Sequence, residues 1–277
     1  MKTNIVFAIT LFFISSCSTL AFWSDDSEEE TSEPVKLKKI QNQYPIDIEW
    51  RRSFDGTNDL GSFVPSFYSG EMIVADPKGN LLSINPNNGK TNWDVNLKRD
   101  LSAGTASGFG KIIVSDANGF VIAIDSVTKE TLWEKNIGGE VLSNGVISAS
   151  LVLLKNSVGE LVALDSATGE QKWSFRSQLP ALTVRGTGEP IIENGTVFST
   201  FDNGRMGAFQ LDTGYFLWDG PISFVEGTSE LENLIDADSA PIIAQQLIFA
   251  TNYQGRLTAF DIAQKRLCLE CRSIFVP

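Results

Sequence analysis

Residues 111–133 read KIIVSDANGFVIAIDSVTKETLW, and nearly the same sentence stands before and after them. MIVADPKGNLLSINPNNGKTNW ends at Trp93, VLLKNSVGELVALDSATGEQKW at Trp173 and VFSTFDNGRMGAFQLDTGYFLW at Trp218. A fifth copy, IFATNYQGRLTAFDIAQKRLCL, has Leu269 in the tryptophan column. Gly79, Gly119, Gly159, Gly204 and Gly255 share one column, at intervals of 40, 40, 45 and 51 residues. That is the period of a propeller blade and is too long for a short solenoid turn. One such unit cannot bury its own apolar face, whereas stacked units can.

Each copy has the chemistry of a β-meander. Apolar and β-branched runs such as Ile112-Ile113-Val114 and Phe120-Val121-Ile122-Ala123-Ile124 are short, bounded by Asn, Gly or Asp, and lack a sustained 3.6 period, so they predict strands. Asn118-Gly119 and Asn203-Gly204 are expected to supply the positive φ angles of a two-residue hairpin turn. A second turn falls at Asn88-Gly89, Thr168-Gly169 and Thr213-Gly214, with Lys129 and Lys265 as departures. Asp125, Asp165 and Asp261 recur in one column and so read as structural. Another short strand candidate precedes each copy, at 65–68, 105–109, 145–150, 190–193 and 240–244. The expectation is an all-β chain of about five four-stranded blades.

The chain opens with an address. Lys2 precedes a mostly apolar run from Ile5 to Ile14, too short to span a bilayer but suited to the centre of a secretion signal. Ile14-Ser15-Ser16-Cys17 resembles the bacterial lipobox. That resemblance implies removal of residues 1–16, acylation of Cys17, and, with Ser18 next, delivery to the outer membrane facing the periplasm. Several acyl chains on one cysteine suffice for stable anchoring. Residues 17–43 follow as a tether. Asp25, Asp26, Glu28, Glu29, Glu30 and Glu33 form a block that cannot bury enough surface to fold.

Composition narrows the partners. With 22 basic against 34 acidic residues the net charge is −12, which argues against binding a phosphate backbone, so no nucleic-acid partner is expected. The chain is 42% apolar, ample for a globular core. Apart from Cys17, the cysteines are Cys268 and Cys271, a lone C-x-x-C. Thioredoxin-like redox work needs this motif at a helix start in a βαβ context, and zinc needs two more ligands; histidine is absent altogether.

The unit A-x-D-x-x-T-G-x-x-x-W, present as Ala163-Leu164-Asp165 through Thr168-Gly169 to Trp173, resembles the tryptophan-docking repeat of pyrroloquinoline-quinone (PQQ) dehydrogenases and of relatives that kept the propeller without the cofactor. A large indole would lie between neighbouring blades, burying roughly 150–250 Å² while its N–H finds a carbonyl. The repeat gives fold and not function.

Function is sought where the repeat lengthens. Trp133 to Val152 spans 19 positions, Trp173 to Val197 spans 24 and Trp218 to Ile248 spans 30. The extra residues fall in two consecutive blade-to-blade connections, containing Leu179 to Gly186 and Thr228 to Asp238. Both resemble loops of the BamB family, lipoproteins of the outer-membrane β-barrel assembly machinery, and the similarity runs from Cys17 to about Asp261. The resemblance implies a non-catalytic, cofactor-free scaffold that binds the POTRA domains of the central barrel subunit, and nascent outer-membrane proteins. The implied contacts are Leu182, Val184, Arg185, Asp236 and Asp238. Val184 replaces a leucine of the family pattern. Two apolar anchors, a guanidinium and two carboxylates suit a hot spot. The bland alternative is a pair of tolerated insertions with Arg185 paired internally to Asp236 or Asp238.

The resemblance also implies eight blades, of which about five are present. Residues 44–263 read as a partial propeller and 264–277 as an aberrant tail, the expectation being a truncated or frame-altered end; a closed five-bladed ring is the alternative. Trp50, in Ile46-Asp47-Ile48-Glu49-Trp50, stands in the tryptophan column and is expected to belong to a strand that completes the final blade. Two competing classes are weighed. A quinone-dependent dehydrogenase needs a calcium-polarised quinone and an aspartate base, and no acidic residue can be assigned to a metal cluster. A periplasmic ligand-binding propeller would use the central channel without turnover.

Overall fold

Strands form wherever the apolar runs are bounded by turn residues. The computed structural model describes residues 44, 47–54, 61–184, 186, 188–223, 234–237, 239–253 and 255–272. The signal segment, the tether with Cys17, and residues 273–277 lie outside the described residues. Among the described residues there are five four-stranded antiparallel sheets. Blade one is β1 (Ser66–Tyr68), β2 (Glu71–Ala75), β3 (Asn80–Ile84) and β4 (Thr91–Asn96); blade two is β5 (Ala106–Gly108), β6 (Lys111–Ser115), β7 (Phe120–Asp125) and β8 (Thr131–Asn136). Blade three is β9 (Val146–Ile147), β10 (Leu151–Lys155), β11 (Glu160–Asp165) and β12 (Gln171–Arg176). Blade four is β13 (Ile191–Glu193), β14 (Thr196–Phe201), β15 (Arg205–Gln210) and β16 (Phe216–Pro221). Blade five is β17 (Ile242–Ala244), β18 (Leu247–Thr251), β19 (Arg256–Asp261) and β20 (Arg266–Arg272).

The continuous apolar runs follow from burial on both faces. In blade two, Ile112, Val114, Ile122 and Ile124 pack on Ile73, Ala75 and Leu81 of blade one. The alternate residues Ile113, Val121 and Ala123 pack on Val152, Leu154, Val162 and Leu164 of blade three. The same alternation joins blade three to four through Leu153, Leu161, Val197 and Phe209, and four to five through Phe198, Met206, Ile248 and Phe260.

Register confirms the alignment of the copies. Trp93 lies opposite Ser83, and Trp133, Trp173 and Trp218 lie opposite Ala123, Ala163 and Ala208; each ladder slips one residue beyond that pair. Leu269 faces Ala259 in the same register, with the same slip after it. The loss of the indole therefore does not end the sheet, and β20 completes a fifth blade within the stretch read as a tail. Leu269 is 46% exposed.

The tryptophans do what their spacing implies. Trp133 Nε1 donates to the Ser166 carbonyl at 3.0 Å, and Trp173 Nε1 to that of Leu211 at 2.8 Å. Each ring lies on the third-to-fourth-strand turn of the next blade. Gly169 has φ +74°, and a Cβ there would stand 2.6 Å from the Trp133 ring, so both space and conformation require glycine. Trp50 docks on blade one in the same way, giving its N–H to Pro86 at 2.8 Å over Gly89. Residues 47–50 nevertheless form no strand, so Trp50 acts by docking and not by completing a ladder among the described residues.

Blade two varies the pattern. Lys129 takes the glycine position at φ +65°. Its ammonium occupies the Ser126 carbonyl that an indole would use and sits 3.9 Å from the Trp93 ring centroid, a cation–π contact. Trp93 Nε1 turns instead to Glu71 Oε2, 3.3 Å away.

The Asn-Gly pairs behave differently from expectation. Among their residues only Gly119 and Gly204 have positive φ. The loop is longer than two residues: Asp116 N–H donates to the Phe120 carbonyl, and Asp116 Oδ1 accepts the N–H groups of Asn118 and Phe120 at 2.9 Å each. An Asx turn with one left-handed glycine replaces the expected type I′ turn. Two consecutive positive φ angles occur instead between the first and second strands, at Ser69-Gly70, Phe109-Gly110, Asn194-Gly195 and Gln245-Gln246. The column aspartates are structural as read. Asp125 Oδ1 accepts Val127 and Thr128 N–H, and Asp165 Oδ1 accepts Ala167 and Thr168 N–H. The backbone bonds from Thr128 and Val127 hold the Asp125 carboxyl below the usual range. For Asp165 the leading cause is Lys172, followed by Ala167 and Thr168.

Trp133→Ala should lower the unfolding free energy by about 3–5 kcal/mol, while Lys129→Gly, which frees the Ser126 carbonyl for the Trp93 indole, should change it by less than about 1 kcal/mol. Urea denaturation followed by tryptophan fluorescence measures both.

Candidate docking site on the lengthened connections

Backbone bonding places the two kinds of turn at opposite ends of the blades. The third-to-fourth-strand turns share an end with the first hairpins: Ser126 N–H donates to Gly110 O and Leu211 N–H to Gly195 O, both at 2.9 Å. The outgoing connections leave at the other end, beside the second-to-third-strand turns. There Ile137, Ser177 and Ile222 donate to the carbonyls of Gly119, Gly159 and Gly204 at 2.8–2.9 Å. Both lengthened connections emerge at that end because every fourth strand finishes there.

The first connection packs its start and exposes its tip. Leu179 Cδ2 lies 2.8 Å from where a Gly159 Cβ would be. Beyond it, Leu182 is 42% exposed and Val184 44%. The described part of the second connection does the reverse. Leu234, Asp236 and Ala237 are buried, Ile235 lies on Gly204, and Ala237 N–H reaches the Phe201 carbonyl at 3.4 Å. This segment fills the seam between the turns of blades four and five.

Asp236 joins the two connections. It is 0% exposed, and its carboxylate Oδ2 accepts the Val184 backbone N–H. Its own carbonyl accepts Tyr253 N–H at 2.8 Å. Asp236 was expected to be a partner contact; the structure leaves it no exposed surface, and a desolvated carboxylate there needs charge-assisted hydrogen bonds. Leu182 and Val184 are brought to the surface together. Arg185 and Asp238 lie outside the described residues.

A buried ion pair underlies this end. Lys155 Nζ sits 3.9 Å from Asp202 Oδ1 and donates to the Thr200 carbonyl at 3.2 Å, so the seam between blades three and four carries a fixed polar tie. Nothing in the sequence alone pairs these residues, which are 47 positions apart.

With this geometry in place, comparison with known proteins decides the family. The family model for the outer membrane protein assembly factor BamB matches residues 57–273. The chain belongs to the BamB family. That match passes beyond Asp261 and takes in β20, in keeping with its preserved register.

Relatives named outer membrane protein assembly factor BamB include those of Kangiella koreensis, 42% identical over 87% of this chain and 62% of the relative, and Pseudomonas aeruginosa, 44% identical over 88% and 64%. The chain thus spans about three-fifths of the length of the curated relatives it matches. Among solved structures, BamB from Moraxella catarrhalis superposes with a TM-score of 0.69 at 23% identity, covering 77% of this chain and 64% of that one. A quinohemoprotein alcohol dehydrogenase from Comamonas testosteroni gives 0.60 at 17%, covering 80% and 44%. These two likenesses concern the fold alone. Among the described residues no three Cys, Asp or Glu side chains gather as a metal-binding group.

Glu189 follows the first connection and lines a cavity of about 240 Å³ with Ser66, Thr105, Ser107 and Asn144. Burial pushes its carboxyl above the ordinary value. The folded state therefore favours the protonated form. Above the folded pKa it carries the cost of a desolvated carboxylate, and this cost fades as pH falls through that pKa towards the unfolded value. Glu189→Gln should raise the melting temperature at about pH 7, and the gain should shrink towards about pH 4; circular-dichroism melts at the two pH values check the sign.

Proposed function

We propose that this chain is a non-catalytic scaffold of the outer-membrane β-barrel assembly machinery, and that its two lengthened connections bind the POTRA domains of the central barrel subunit. The observation that carries the proposal is the Asp236 carboxylate on the Val184 N–H, which ties two separately inserted segments together behind the exposed Leu182 and Val184. Tolerated insertions have no need of such a brace, whereas a docking surface gains by being ordered before its partner arrives. Leu182 and Val184 are the apolar anchors, Arg185 and Asp238 the charged contacts, and Asp236 the brace that holds the anchors in place. Membership of the BamB family supports the assignment, since the relatives bear the name of an assembly factor for outer-membrane proteins.

The same proposal covers placement. Residues 1–16 are a signal removed at export, Cys17 carries the lipid, and residues 17–43 tether the propeller to the outer membrane on its periplasmic side. Holding POTRA domains there lets the scaffold present nascent outer-membrane strands to the barrel subunit.

Binding of purified POTRA domains to the full chain tests the first part. Arg185→Ala should weaken it by about 2 kcal/mol, on the order of thirtyfold, and unchanged affinity in a normally folded variant counts against the assignment. For the second part, Cys17→Ser should abolish incorporation of labelled palmitate and move the protein from the membrane to the soluble fraction of the envelope; retention at the membrane would refute the anchor.

A further inference from the structure

The side chain of Tyr253 takes no part in the turn or the seam, and its position is unusual. It lies two residues before the turn glycine of blade five, where the other blades have Pro77, Ala117, Ser157 and Asp202. The turn does not need it. Asn252 closes the loop by itself, its carbonyl accepting Gly255 N–H at 3.0 Å and its Oδ1 accepting Arg256 N–H at 2.8 Å. The tyrosine side chain is 55% exposed, although its backbone N–H is fixed to the buried Asp236.

Asp236 therefore holds Val184 with its side chain and Tyr253 with its main chain. Two hydrogen bonds and one aspartate set their separation, on the order of 10 Å between backbones, although they are 69 positions apart in sequence. Leu182, Val184 and Tyr253 thus come from two chain segments, braced by a third, and stand exposed at one end of the blades.

We infer that Tyr253 is a third anchor of the docking surface, and that this surface takes a folded protein domain with an apolar centre and a basic rim. The inference rests on the proposed function and deepens it. Tyrosine offers a large, rigid contact area with a polar tip and few rotamers to freeze, which is why it is enriched in interface hot spots. The basic rim follows from charge: a chain of net charge −12 steers towards and complements positive surfaces.

The test titrates purified POTRA domains against the full chain. Tyr253→Ala and Tyr253→Asn should each weaken binding about tenfold, and Tyr253→Phe by no more than about threefold, because the ring supplies most of the contact. Melting temperatures should stay close to the parent's, since the backbone bond to Asp236 survives each change; Tyr253→Asn, with a turn-favouring residue, keeps the test valid if the alanine variant melts early. Raising salt from about 50 to 300 mM should weaken the parent complex. Normal binding by both truncations while Arg185→Ala binds weakly overturns the third anchor and leaves the proposed function standing. Normal binding by Arg185→Ala as well brings both down, and affinity indifferent to salt overturns the basic rim.

Discussion

The fold depends on an indole crossing from one blade to the next. Each sheet is two-faced and cannot be stable alone, and in blades two and three the tryptophan of the last strand reaches over the next blade's turn to close the seam. Trp133 on Ser166 and Trp173 on Leu211 satisfy the only polar atom of a large apolar side chain at the point where it is buried. Trp50 repeats the contact on Pro86 from a segment with no ladder of its own, so docking and strand pairing are separable. Blade two shows how far the contact can drift: the Lys129 ammonium takes the carbonyl and faces the ring, and the indole finds Glu71. Both solutions leave the carbonyl bonded and the ring covered.

Because the repeat secures the architecture, what is particular to this chain is found where copies cease to match. Every fourth strand ends beside a second-to-third-strand turn, so any lengthening of the outgoing connection builds on the same end of the blades. Consecutive insertions in neighbouring connections then meet. Here they meet through Asp236, which the second connection carries into the seam between blades four and five and which takes up the Val184 N–H.

Much of this was legible in the sequence because it is periodic. A glycine column, a tryptophan column and an aspartate column each record the same local force in several copies, and the structure gives the glycines positive φ, Asp125 and Asp165 their turn-closing bonds, and Trp133 and Trp173 their docking. The turn chemistry was less legible. Asn118-Gly119 has the composition of a type I′ turn, but Asp116, two residues upstream of Asn118, captures two backbone N–H groups and lengthens the loop; the competing side chain decides. The depth of Asp236 was not legible at all. An aspartate in a long polar insertion reads as exposed, and only packing against the Phe201 and Tyr253 turns takes it to 0% exposure. Tyr253 was illegible for a related reason: it lies inside a regular copy, and its neighbours in space come from insertions far away in sequence.

A buried carboxylate behind an exposed apolar pair is an expensive way to order a loop. Removing a charge from water costs several kcal/mol unless good hydrogen bonds offset it. The cost is incurred once, when the chain folds, and is shared with a large cooperative core. A flexible loop would instead incur its ordering cost at every encounter, about 0.5–1.5 kcal/mol for each side chain immobilised. With Asp236 inside, the proposed docking surface would meet that cost in folding and not in binding. The same residue holds both Val184 and Tyr253, so their spacing is set within the fold.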